Sequence, residues 1–212
     1  MKKHIYLAVY CLSILPSFGA QEAAVQQLQL KDFLHDAGNK CDVYFTVEGA
    51  CPSNMFSDVL MLEDVFSKGA PGDISAVISS LTNSITNLTV TADASNKRIY
   101  HVIDSRLLVL DDYAMNRVLE SIKFDGDAET FVSHIEQGVP NLLNQSIFGS
   151  TFIALNDATA ISISYANVSV RDALSNGVDL RGYNRLIWTA FTPLETRQTE
   201  VHFLGKTNRM EH

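Results

Sequence analysis

Short amphipathic helical segments alternate with short β-rich segments along the whole chain, and this alternation constrains the fold more than any other feature. In the first half, Leu30, Phe33 and Ala37 recur at helical spacing, and the segment DVYFTVE that follows (42–48) is aromatic and β-branched. The chain contains no run of βαβ units and no glycine-rich phosphate loop. The pattern therefore predicts an α+β fold.

Both halves of the chain run from helix to strand and contain a predicted hairpin. In the first half the spacing predicts a helix over 23–37 that ends at Gly38, a strand over 42–48, a helix over 74–85 capped by Asp73, and two strands within 88–104. In the second half it predicts a helix over 115–122, a helix over 127–137, a hairpin turning at 156–157, a helix from Ser169, and two strands around 193–197. We therefore expect two small tandem modules, residues 21–106 and 107–212, each with a few strands and one or two helices packed on a mixed or antiparallel sheet. Whether the two modules share one core is left open.

The N-terminus has the pattern of a secretory signal peptide. Lys2 and Lys3 precede an apolar run, and small residues precede an expected cleavage site before Gln21, so residues 1–20 are assigned to the signal. We expect a secreted or periplasmic chain, and a bacterial one. No later segment approaches the ~20 apolar residues that a membrane span needs. The formal net charge of −8 argues against nucleic acid as a partner.

Two cysteines, Cys41 and Cys51, remain after the signal segment. An even count in an exported chain predicts one disulfide, whereas two free, buried thiols are the alternative. A catalytic or metal-binding role would require a C-x-x-C spacing or neighbouring histidines, and neither is present. We expect a structural disulfide in the first module.

The best metal candidate is the segment DGDAETFVSHIE. It places Asp125, Asp127, Glu129 and Glu136 where a calcium loop has ligands, but Thr130 replaces the glycine that the loop needs. An acidic helix N-terminus explains the same residues, so we predict neither a metal nor a cofactor. The chain has no nucleophile or zinc-protease motif, and we predict that it is not an enzyme.

Some polar and aromatic residues on the predicted strands are candidates for a site. His101 shares one strand face with Ile99 and Ile103, which indicates a hydrogen-bonded, half-buried imidazole rather than a catalytic base. Aromatic residues are favoured at contact surfaces. The possible binding-face aromatics are Tyr44, Tyr100, Tyr183 and Trp188, although a core position is favoured for Trp188.

The segment NVSVRDAL (167–174) has an upstream echo in QLQLKDFL (27–34). Together with the flanking segments, Val168, Val170, Ala173, Leu174, Gly182 and Trp188 form the pattern strand, hydrophobic-x-x-Ala-Leu helix, glycine, strand, which is matched upstream through Leu30, Phe33, Gly38 and Val43. Over about 30 residues in each half, this pattern resembles the short N-terminal domain shared by secretins and TonB-dependent receptors. Aligning the two glycines offsets the copies by 144 residues. The resemblance implies a small periplasmic module used for protein contacts in the envelope, without transport by this chain.

The leading hypothesis is therefore a secreted or periplasmic, non-catalytic protein-interaction module of the bacterial cell envelope. Its partner would be an envelope or secreted protein whose strand is added at a sheet edge. The alternative is a small-ligand or glycan-binding protein with a cleft between the modules. A hydrolase with an unrecognised site is the third hypothesis.

Overall fold

The computed structural model describes residues 27–50, 59–61, 72–144, 161–177, 180 and 185–203. Its strands are β1 (Gln27–Gln29), β2 (Tyr44–Gly49), β3 (Val59–Met61), β4 (Leu88–Ala92), β5 (Ile99–Asp104), β6 (Val118–Gly126), β7 (Leu142–Asn144), β8 (Ile161–Ser169), β9 (Leu186–Phe191) and β10 (Thr199–Phe203). Its helices are α1 (Leu30–Cys41), α2 (Ile74–Ser84), the single turn α3 (Ser105–Leu108), α4 (Ala128–Glu136) and α5 (Val170–Asn176), with a 3-10 turn at Ala114–Asn116. The predicted α+β class is confirmed. Within the described residues, no helix is long and apolar enough to cross a membrane.

The same order of elements occurs twice. We call β1-α1-β2-β3-α2-β4-β5 the N-terminal module and β6-α4-β7-β8-α5-β9-β10 the C-terminal module. In each module the first and third strands pair antiparallel, and the other three form a mixed sheet, in the order β4-β5-β2 or β9-β10-β7. The pair Ala92–Tyr100 between β4 and β5 corresponds to the pair Phe191–Glu200 between β9 and β10. Equivalent positions of the two modules therefore lie about 100 residues apart. The boundary expected at 106/107 falls in the segment that connects the modules.

This repeat differs from the one inferred from NVSVRDAL. The sequence comparison matched α1 with α5 at an offset of 144 residues, whereas the topology makes α4 the equivalent of α1, and α5 the equivalent of α2. The echo was misleading because both helices follow a strand and are amphipathic, with an acidic residue in the first turn. Gly38 also does not end α1, which continues to Cys41, and Gly182 lies outside the described residues.

The two modules share one six-stranded sheet, in the order β4-β5-β2-β9-β10-β7. β2 of the N-terminal module runs parallel to β9 of the C-terminal module, and we call this pairing with the side chains around it the junction. Strand directions reverse from one module to the other, since β4 is antiparallel to β5 while β5, β2 and β9 run parallel. A half turn about an axis that crosses the strands therefore relates the modules.

The half turn places the helices of the two modules on opposite faces of the sheet. On β2, Phe45 and Val47 pack in a buried cluster with residues of α1 and α2. The alternating Tyr44 belongs instead to a cluster with Phe131 of α4 and Leu174 of α5. The pair β1·β3 contacts α1, and the pair β6·β8 contacts α4 and α5.

Local sequence signals were correct for most of the described elements, but the helix expected over 23–37 begins only at Leu30, because 27–29 form β1, and one further helix is wrong. Asp73 caps α2 through a backbone N–H group, as expected, and Asp127, which was expected inside the first turn of its helix, caps α4 in the same way. The helix expected over 115–122 is instead the strand β6, in which Ile122 is the buried position. An apolar spacing of three to four residues in so short a segment fits either structure, and pairing with the nine-residue strand β8 selects the strand. The hairpin expected at 156–157 lies outside the described residues.

Candidate functional site

Backbone hydrogen bonds on both sides of β2 join the modules at the junction. The Tyr44 N–H donates to Arg98 of the N-terminal module at 2.7 Å, and the next N–H, that of Phe45, donates to Arg185 of the C-terminal module at 2.7 Å. At the far end of the pairing, the Thr192 N–H donates to the Gly49 carbonyl at 2.9 Å. Adjacent residues of one strand thus bind different modules.

A buried ion pair spans the junction next to these strands. Arg171 of α5 donates from Nε and Nη2 to the two carboxylate oxygens of Glu48 on β2, with the Nη2–Oε2 distance at 2.8 Å. Tyr113 donates its hydroxyl to Oε2 of Glu48 at 2.6 Å, and Asn116 accepts from Arg171 at 2.9 Å. Burial and then the charge of Glu48 raise the pKa of Tyr113 well above its ordinary value. Burial alone would lower the pKa of Arg171, but the Glu48 carboxylate outweighs it and the pKa is raised. Arg171 therefore stays protonated beside Glu48.

A second polar cluster surrounds His101 of β5. Its Nδ1 is hydrogen-bonded to Thr46 Oγ1 at 2.8 Å, and its Nε2 lies 3.3 Å from Asp93 Oδ2 and 3.7 Å from Asp172 Oδ1 of α5. The ring also stacks on Trp188. Burial would lower the pKa of His101, but the bonds to Asp172 and then Asp93 outweigh it, and the pKa is raised.

Asp93 lies beneath this histidine with its hydrogen-bonding capacity filled. Its Oδ1 accepts from the Ser95 and Asn96 N–H groups at 2.8 and 2.7 Å, and Asn176 of α5 donates to both oxygens. Burial opposes ionisation, but the bonds from His101, from Asn176 and from the backbone dominate and hold the pKa of Asp93 below its ordinary value. Asp93 and His101 thus form a buried, hydrogen-bonded pair that Asn176 bridges to α5.

Two kinds of chemistry deserve comparison with this cluster. Thr46, His101 and Asp93 follow the order hydroxyl, imidazole, carboxylate of a nucleophile relay, but all three are buried, so a substrate has no access to the hydroxyl. Asp93, His101 and Asp172 offer ligand atoms within 4.8 Å of one another. A cation there would have to replace the hydrogen bonds that Asp93 already accepts. The geometry fits an electrostatic contact between modules better than either alternative.

The opposite end of the junction carries an exposed charge cluster. Arg185 donates to Asp42 at 3.0 Å and to Asn39 at 3.1 Å, and its guanidinium lies 4.8 Å from the ring centroid of Tyr44. The hydrogen bond from Arg185 holds the pKa of Asp42 below its ordinary value, despite partial desolvation. Gly38 permits this approach, because a Cβ there would lie 2.6 Å from the Cβ of Arg185.

The predicted binding-face aromatics do not form an exposed face. Trp188 is fully buried and donates from Nε1 to Ser175 of α5 at 3.2 Å, which agrees with the favoured core position. Tyr44 is buried at the junction, Tyr100 is half-buried against Phe45, and Tyr183 lies outside the described residues. Tyr44 and Trp188 are thus buried and stabilise the contact between modules instead.

Cys41 is a half-buried free thiol, and Cys51 lies outside the described residues. Burial and then nearby Asp73 raise the pKa of the Cys41 thiol. The Cys41–Cys51 disulfide expected from the cysteine count therefore stays a prediction.

His101 was predicted to be hydrogen-bonded and half-buried, and it is hydrogen-bonded but fully buried, whereas Glu48, Arg171 and Asp172 were not predicted as site residues. Arg171 and Asp172 belong to NVSVRDAL, which was noted as a repeat and not as a site. Glu48 and His101 lie on otherwise apolar strands, and a charged or polar residue in a buried strand position requires a partner. That signal indicated that partners exist, but it did not identify them.

The described part of the chain also contains a cavity of about 230 Å³ between segment 111–117 and the loop at Pro140 and Asn141. It is smaller than the ~300–1,000 Å³ of typical ligand pockets.

The chain matches no known protein-family model, no curated protein and no solved structure.

Proposed function

We propose that the chain is a secreted or periplasmic, non-catalytic protein-interaction module of the bacterial cell envelope, and that it binds by adding a partner's strand at the outer edge of β4. The observation that carries the proposal is the junction itself. β9, the equivalent of β4, already accepts a parallel strand from the other module along the same edge. This edge of the module is thus suited to strand addition.

The outer edge of β4 has backbone groups available for a partner. The Asp93 N–H donates to the Ile99 carbonyl, and the Ser105 N–H donates to the Asn87 carbonyl. These two bonds determine which residues of β4 are hydrogen-bonded to β5. Along an antiparallel strand, the backbone groups of successive residues point alternately toward the paired strand and away from it. Thr89 and Thr91 therefore bond to β5, whereas Leu88, Val90 and Ala92 direct their N–H and C=O groups away from β5. No described strand lies on that side. Such an edge is a template for another chain.

The non-catalytic part of the proposal is supported by the burial of the junction. The histidine-centred cluster and the Glu48–Arg171 pair use their hydrogen bonds within the protein. The resemblance to the N-terminal domain of secretins and TonB-dependent receptors supports an envelope role, and the proposal includes that kinship for the C-terminal module. β8, α5 and β9 occur in the order of that pattern, with Val170, Ala173 and Leu174 buried.

The proposal is tested by capturing partners from envelope fractions with the chain from residue 21. The variant Ala92→Pro removes one outward N–H at an exposed position, and Ala92→Ser is the matched control because it keeps that N–H. We expect a partner that is captured by the wild type and by Ala92→Ser, and is lost with Ala92→Pro. Equal capture by all three forms would reject strand addition at β4.

A further inference from the structure

We propose that one strand partner of this chain is a second copy of itself, and that copies join head to tail by pairing β7 of one chain with β4 of the next. The inference rests on the strand-addition function proposed above and names a partner for it. In the order β4-β5-β2-β9-β10-β7, the two outermost strands are β4 and β7. β4 is the equivalent of β9, and β7 is the equivalent of β2. Among the described strands, the two outer edges of the sheet therefore belong to the equivalents of the two strands that pair at the junction.

The strand directions meet the requirement for this contact. β2 and β9 are parallel at the junction, so the intermolecular copy must be parallel as well. β4 is antiparallel to β9, and β7 is also antiparallel to β9 because it runs with β10. β7 and β4 consequently run in the same direction. A second half turn restores the orientation of the first module, so every copy in the row has the same orientation, and the assembly is open rather than closed at two.

Backbone groups are available on the β7 side as well. The Thr199 N–H donates to the Asn141 carbonyl at 2.6 Å, and Thr199 is in register with Leu142. In a parallel pair of strands, this bond and this register mean that the backbone groups of Asn141 and Leu143 point toward β10. The backbone groups of Leu142 and Asn144 point away from β10. The described part of β7 thus presents the Leu142 carbonyl and the Asn144 N–H at its open edge.

The intermolecular contact has fewer polar contacts than the junction, so we expect it to be weaker and reversible. Asp73 caps α2 as Ser169 caps α5, and this equivalence puts Ser75 in the place of Arg171 and Ser80 in the place of Asn176. Neither serine can form the bidentate ion pair of the junction. The formal net charge of −8 repels copies from one another, so salt should strengthen the association.

The test is sedimentation velocity of the chain from residue 21, from about 10 µM to about 1 mM, the range of weak protein contacts. Ala92→Pro blocks the β4 edge, and Asn144→Pro blocks the β7 edge, with Ala92→Ser and Asn144→Ala as controls that keep the N–H. We expect the wild type and both controls to associate with rising concentration, and each proline variant alone to remain monomeric. An equimolar mixture of the proline variants has one usable pair of edges and should form dimers and nothing larger.

A measurement on the unaltered chain guards against misfolded variants. Hydrogen exchange of the outward Val90 and Ala92 amides should slow as concentration rises, while that of the inward Thr91 amide should not change. A wild type that stays monomeric throughout, a proline variant that still associates alone, or a mixture that does not dimerise would overturn the head-to-tail contact. If self-association fails but Ala92→Pro still loses a captured partner, strand addition stands and only the self-partner is refuted.

Discussion

Breaking the Glu48–Arg171 pair should destabilise the whole protein, because the pair joins the two modules in a buried position. The Arg171 side chain is 12% exposed and that of Glu48 is 0% exposed, and the two share two hydrogen bonds. Arg171→Met keeps the length of the aliphatic stem but leaves a buried carboxylate without its counter-ion. Such a loss costs about 3–5 kcal/mol, which is a large part of a typical total stability of about 5–15 kcal/mol.

A double-mutant cycle separates the pair from the general effect of each substitution. Glu48→Gln retains an acceptor for Tyr113 but removes the charge that faces Arg171, so we expect it to cost about 3 kcal/mol as well. The double variant removes both charges and should cost less than the sum of the single variants by about 0.5–3 kcal/mol. The free energies of unfolding are obtained from urea denaturation at neutral pH.

Arg98→Met is the matched control, because it breaks the Arg98–Asp42 pair, whose side chains are 53% and 69% exposed. An exposed pair contributes little, so this variant should resemble the wild type. The reasoning is refuted if Arg171→Met costs no more than Arg98→Met. It is also refuted if the two junction substitutions add within about 0.5 kcal/mol.

Three further predictions concern pH, strand edges and close packing. The raised pKa of His101 contributes stability that is complete below the ordinary histidine pKa and is lost as pH rises through the folded pKa. The lowered pKa of Asp93 contributes stability that is present above the ordinary aspartate pKa and is lost as pH falls through the folded pKa. The free energy of unfolding should therefore decline above about pH 6.5, by at most about 1.4 kcal/mol per pH unit, and His101→Gln should remove this slope; an unchanged slope would contradict the assignment. Thr91→Pro should lower the free energy of unfolding by about 3 kcal/mol because the Thr91 N–H faces β5, whereas Ala92→Pro should lower it by less than about 1 kcal/mol. Equal melting temperatures would contradict the assignment of Thr91 to β5 and of Ala92 to the outer edge of β4. Gly38→Ala should lower the free energy of unfolding by about 1–3 kcal/mol, because its Cβ would lie 2.6 Å from the Cβ of Arg185. In the control Gly138→Ala the nearest atom is 3.7 Å from the new Cβ. Equal unfolding midpoints of the two variants in urea would exclude the close approach at Gly38.

Elements with local signals could be predicted from the sequence. Asp73 and Asp127 start their helices by bonding to nearby N–H groups, and the Asp93–Asn96 turn joins two strands that are adjacent in the chain. These signals act within a few residues and can therefore be recognised in a single sequence. They were sufficient for the α+β class.

The junction could not be predicted, because it depends on contacts between distant residues. Phe45 and Leu186 pair across the junction, yet neither residue carries a local mark of that partner. A buried charge such as Glu48 indicates that some counter-charge is near, but sequence spacing does not select Arg171. The same limit explains why α1 was matched with α5 rather than with α4, since amphipathic helices of a repeated fold resemble one another in any pairing.

Native-state hydrogen exchange of two neighbouring amides tests the shared sheet most directly. The Tyr44 N–H bonds within the N-terminal module, and the Phe45 N–H bonds across the junction, both at 2.7 Å. If the modules form one cooperative sheet, both amides should exchange only through global unfolding, with the same free energy of opening. Independent modules would instead allow Phe45 to exchange through separation of β2 from β9, several-fold faster than Tyr44, and that result would contradict the junction.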